Sequence, residues 1–113
     1  MTNEQQRKML ECAAKACGIT LEREISGKKP HRLLEHESGE GHISVPWNPL
    51  ANPSDTAEMC AELEIDTLWT DDCVICGDNS RTYEAEVPLD NSRLTAWMYA
   101  ATMVAAKTQG YEE

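Results

Sequence analysis

The sequence contains no phenylalanine, and aromatic residues fill only 5% of its 113 positions. A core must therefore come from aliphatic side chains, methionine and three tryptophans. Basic residues are also scarce: 10 Lys and Arg stand against 20 Asp and Glu, a formal charge of −10. Non-specific binding to DNA or to an anionic membrane needs positive charge, so this balance excludes direct nucleic acid and membrane partners from the expectation. No apolar run reaches the ~18 residues that would nominate a membrane-spanning helix. The N-terminus lacks the charged-then-apolar pattern of a secretory signal, and the expected location is the cytoplasm. The cysteines, Cys12, Cys17, Cys60, Cys73 and Cys76, are odd in number. Without a signal, reduced thiols rather than a disulfide framework are expected.

What is present is enough for a fold. Hydrophobic residues make up 41% of the chain, too many for a disordered acidic tail. The length suits one domain over residues 1–113 with a modest core. Charge is unevenly spread: residues 1–32 hold seven basic and four acidic side chains, whereas residues 33–113 hold three and sixteen. The second region, at −13, is either an ordinary solvated surface or a face that steers a basic partner.

Helical spacing of Met9, Leu10, Ala13, Ala14 and Cys17 predicts a first helix over 3–17, begun by a Thr2/Gln5 capping box and stopped by Gly18. Ile19, Leu21 and Ile25 alternate as a strand. His31–Glu37 and His42–Pro46 flank a Ser38–Gly41 turn and read as a hairpin. Pro46, Pro49 and Pro53 forbid regular structure across Trp47–Pro53. Asp55, with Glu58 three residues on, is the expected N-cap of a second helix that buries Met59, Cys60 and Leu63 and ends near Glu64. Residues 66–76 and 81–87 read as a second hairpin, in which Tyr83, Ala85 and Val87 alternate with Thr82, Glu84 and Glu86, so that one face is buried and the other faces water. Residues 92–108 form the most apolar helix, with Leu94, Trp97, Ala101, Val104 and Ala105 as its stripe; Ser92 is among its candidate caps, Gly110 stops it, and 109–113 is a frayed tail. The expected architecture is α+β: a four- or five-stranded, mainly antiparallel sheet with three helices in the order α-β-β-α-β-β-α.

Ala14-Lys15-Ala16-Cys17-Gly18, Trp47-Asn48-Pro49-Leu50 and the Ala-rich Leu94–Lys107 segment together resemble the small phage proteins grouped as the phage ABA sandwich domain. The resemblance implies a small sheet with helices around it, a phage or prophage origin in a host cytoplasm, and no assigned activity. It carries over no catalytic residue.

Cys73-Val74-Ile75-Cys76-Gly77 has the form of a zinc knuckle, which Cys12 and Cys17 would complete. Against it, Cys12 and Cys17 lie about 140 degrees apart around a helix, Cys73 and Cys76 point to opposite faces of a strand, and Val74 and Ile75 favour strand. His31, His36 and His42, with Glu35, Glu37 and Glu40 between them, offer a weaker metal set on an edge hairpin. No nucleophile-and-base signature or phosphate-cradling glycine loop is present, so no residue is nominated as catalytic and no cofactor is expected.

Leu68 and Trp69 are adjacent on one strand and face opposite ways. If helices cover one side only, an apolar residue is left for a partner protein or a second copy in a homodimer. Trp47, in its proline-bounded loop, is expected to pack over the mouth of the sheet, with an exposed interface anchor as the alternative. The leading expectation is a small acidic phage protein that acts by protein–protein contact, inhibiting a host factor or a defence system such as a CRISPR effector. Its partner would have a basic surface. The nominated interaction residues are Glu35, Glu37, Glu40, Asp71, Asp72, Glu84 and Glu86. The alternative is a small zinc-binding module using Cys73 and Cys76.

Overall fold

A computed structural model describes residues 3–21, 31–35, 42–90 and 92–112. The elements are α1 (Asn3–Ala16), β1 (Thr20–Leu21), β2 (His31–Glu35), β3 (His42–Pro46), α2 (Pro53–Leu63), β4 (Asp66–Trp69), β5 (Cys73–Gly77), β6 (Glu84–Pro88) and α3 (Arg93–Lys107). The α+β class, the three helices and the antiparallel pairing agree with the sequence reading. Among the described residues, six strands form two three-stranded sheets, β1-β2-β3 and β4-β5-β6, in place of the expected single sheet of four or five strands. The reason lies between the hairpins. Pro46 ends β3, and Pro49 and Pro53 carry the chain through a turn into α2, so no tight turn joins β3 to β4.

The second sheet, α3, and the pair α1 and α2 form successive layers. α3 packs on β5 and β6 with one side and on α1 and α2 with the other. Covered twice, it buries nine of its fifteen residues, including all seven from Ala100 to Ala106. Small alanine side chains let both layers approach the helix closely. Thr102 is buried at no cost in lost hydrogen bonds because its hydroxyl donates to the Met98 carbonyl at 2.7 Å. Leu94 departs from the expected stripe and is 48% exposed, in the first turn of the helix.

Entry into α2 is set by a loop of side-chain bonds. Trp47 is enclosed, as expected. Asn48 folds back to accept from Leu50 N at 3.0 Å, and Thr56 donates to the Pro49 carbonyl at 2.7 Å. The N-cap is Asn52, not Asp55: its side chain accepts from Ser54 N at 2.9 Å, and Pro53 takes the first helical position. Asp55 instead accepts from Asn48 N at 2.9 Å and pins the loop to the helix.

All three helices end alike. Gly18, Glu64 and Gly110 take left-handed conformations at φ 70, 54 and 87 degrees. The next residue then donates back five positions: Ile19 to Ala14, Ile65 to Cys60 and Tyr111 to Ala106. The apolar side chain at that position seals each end. Tyr111 is only 5% exposed, so the expected fraying from 109 onward is corrected at this residue. Thr2, and the capping box it would begin, lie outside the described residues.

Candidate interaction surface

The second sheet fixes two unlike faces. β5 is central and its partners are both antiparallel, with Thr67, Cys76 and Ala85 in one row and Trp69, Val74 and Val87 in another. Alternation sends these toward α3. Val74 and Cys76 are wholly enclosed. Trp97 of α3 donates its indole N–H to the Thr67 hydroxyl at 3.1 Å, which sets the distance between helix and sheet.

The opposite face carries Asp66, Leu68, Cys73, Ile75, Glu84 and Glu86. Among the described residues no helix packs on it, and Leu68 is 54% exposed. The condition raised by the Leu68–Trp69 pair is thus met: helices cover one side, and Leu68 is the residue left over. Trp69, on the inner face but at the sheet's edge, is itself 45% exposed and carries the Arg93 guanidinium 5.9 Å from its ring centre.

The stretch 66–76 is two strands rather than one. The turn at Thr70–Asp72 contains neither glycine nor proline; the Thr70 hydroxyl makes it, accepting from Cys73 N at 3.0 Å and Asp72 N at 3.3 Å. That turn presents Asp71 and Asp72 to solvent beside the open face. Glu84 and Glu86 are exposed on β6. Four of the nominated acids therefore belong to one sheet. Glu35 lies on β2, opposite His42 in the ladder. Glu37, Glu40 and His36 lie outside the described residues.

The cysteine pair separates as the strand parity requires. Cys73 is on the open face, where its thiol donates to Glu86 Oε1 at 3.1 Å and meets the Thr70 hydroxyl at 3.1 Å. The Thr70 contact favours its thiolate, but Glu86 and the Asp72 charge outweigh this and raise its pKa. Cys76 lies on the inner face, 3.6 Å from the Thr67 hydroxyl, and burial raises its pKa. Burial, and then Cys76 and Cys17, push Cys60 up to about 12. All three are protonated at neutral pH and are poor nucleophiles. As the sequence expected of a strand, Cys73 and Cys76 lie on opposite faces of β5, so the strand does not aim the two thiols at one point. Among the described residues no group of three or more histidine, cysteine or acidic side chains is placed to hold a metal.

Gly77, which resembled a knuckle glycine, has another task. A Cβ there would meet Arg81 Nη1 at 2.5 Å, because Arg81 crosses this position to reach Asp66 at 2.9 Å. Behind it, Asp78 closes the β5–β6 turn. The Tyr83 backbone N–H, and next the Ser80 hydroxyl, hold its carboxyl below the usual range. A shallow depression of ≈370 Å³ lies where Ala16, Leu63 and Thr108 end the three helices, walled by Asp78, Asn79 and Ser80. Sequence reading missed the Asn48–Asp55–Thr56 bonds and the Thr70 turn; the Thr-Asp-Asp run was the available signal for the second.

No protein-family model, curated protein or solved structure matches this chain.

Proposed function

We propose that this protein acts by contact with another protein, and that the open face of the β4-β5-β6 sheet is its recognition surface. The observation that carries the proposal is a sheet face that no helix covers among the described residues, with the half-exposed Leu68 on its β4 edge and Asp71, Asp72, Glu84 and Glu86 on the same sheet. An apolar anchor on a face where acids outnumber the one cation described there, Arg81, which is already paired with Asp66, suits a partner with a complementary basic surface. The acids steer the encounter, and Leu68 and Ile75 supply the area removed from water. The narrower form of the proposal is a phage or prophage protein that inhibits a host factor or defence complex such as a CRISPR effector. It draws on the residue resemblance and on the ability of an acidic surface to compete for sites that bind phosphates.

Affinity capture from bacterial lysate tests the proposal, with the Glu84→Lys/Glu86→Lys double variant as control. A basic protein held by the parent, released by rising salt and lost by the variant is the expected result. Equal recovery on both chains, or capture insensitive to salt, contradicts it.

A further inference from the structure

The two edges of this sheet are protected unequally. In antiparallel pairing, hydrogen-bonded and non-bonded pairs alternate, and the non-bonded residues of an edge strand turn their backbone groups outward. On β6 the Asp78–Tyr83 bond sets the phase, so Glu84, Glu86 and Pro88 face out. That edge is guarded at both ends: the Lys107 ammonium donates to the Glu84 carbonyl at 3.0 Å, and Pro88 has no N–H to offer. On β4 the Thr70–Cys73 bond at 2.9 Å sets the phase, so Thr67 and Trp69 face out. Neither backbone has a partner among the described residues, and no lysine or proline stands on the strand. The same strand bears two half-exposed apolar side chains, Leu68 and Trp69.

We propose that β4 is a docking edge, and that its occupant is an extended segment of a partner protein with Lys or Arg flanking an apolar residue. The segment adds a fourth strand. Its backbone pairs with Thr67 and Trp69, its apolar residue lies beside Leu68, and its basic residues meet Asp71 and Asp72. Charge decides between this occupant and a second copy of the chain. Two β4 edges joined antiparallel would set the two acids of each Asp71–Asp72 turn beside an Asp66 whose cation, Arg81, is already engaged, and joined parallel would set like acids together. Both chains would also carry −10. The inference rests on the reading of this sheet as a recognition surface, and adds the edge and the conformation of what binds there.

The test uses the full chain, ¹⁵N-labelled, with a short alternating lysine–valine peptide and a glutamate–valine peptide of equal length. The lysine peptide is expected to slow amide exchange at Thr67 and Trp69 by about tenfold at concentrations where the glutamate peptide does nothing. Trp69→Thr and Trp69→Pro both remove the ring, but only the second removes the N–H. The threonine variant is expected to bind within about threefold of the parent, and the proline variant at least about tenfold more weakly. Leu68→Lys, an exposed substitution that spares the fold, is expected to weaken binding by a similar factor through like charge. Equal protection by both peptides, equal binding by the two Trp69 variants, or a free chain already dimeric with these amides protected would overturn the proposal. A lysine peptide that shifts Glu84 and Glu86 signals while leaving the Thr67 and Trp69 amides unprotected would overturn the edge and leave the acidic-face reading standing.

Discussion

The two faces of the β4-β5-β6 sheet are made from one set of strands and obey different rules. On the inner face, Val74, Cys76 and Ala85 are buried against a helix that is itself covered on its far side. On the outer face, Leu68 and Ile75 lie among Glu84, Glu86, Asp71 and Asp72, with no helix packed on them among the described residues. A one-residue step along β5 moves a side chain from core to surface. Stability and recognition are therefore separable on this sheet, and substitutions can address one without the other.

The inner face should respond most. Val74→Ala empties a fully packed site and is expected to cost about 2 kcal/mol in denaturant unfolding. A loss under about 0.5 kcal/mol would mean that α3 does not pack here as described. Thr67→Val keeps the shape but strips the Trp97 indole N–H of its acceptor. A loss of about 1–2 kcal/mol is expected, with a change in tryptophan fluorescence as the check. The β5–β6 turn should show its effect in pH dependence. Because the Asp78 carboxyl is held below its usual range, its contribution is present above the ordinary carboxylate pKa and is lost as pH falls through the lowered value. Asp78→Asn should flatten that acid limb of the stability curve; an unchanged limb would remove Asp78 as its source. Smallest of all, Leu68→Ala should change stability by no more than about 0.5 kcal/mol while weakening capture of a basic partner. A large loss of stability would place Leu68 under an unseen cover.

Much of the inner face could be read from the chain. Met9, Leu10, Ala13 and Ala14 on α1 repeat at helical spacing, Gly18 and Gly110 mark stops that only a left-handed residue provides, and Ala85 and Val87 alternate with acids. Three features escaped, each for a physical reason. Asn52 and Asp55 are equally good caps, and only the position of Pro53 at the first helical residue separates them. Glu64 adopts the same left-handed turn as the two glycines, held by Ile65 behind it, although its own side chain carries no sign of this. The division of 66–76 depends on one hydroxyl, Thr70, whose bonds to the backbone replace the usual turn residues. The candidate surface was half legible: the acids could be counted, but their gathering beside Leu68 depends on where the helices lie, and that is a property of packing around α3.

The most direct measurement is amide hydrogen exchange along β4 in the unbound chain. Thr67 and Trp69 should exchange quickly, while Leu68 and Thr70, whose N–H groups point to β5, should be slow. That alternation would establish the open edge and the strand phase together. Equal protection at all four amides would show the edge already covered, and the account of a sheet left open for a partner would be wrong.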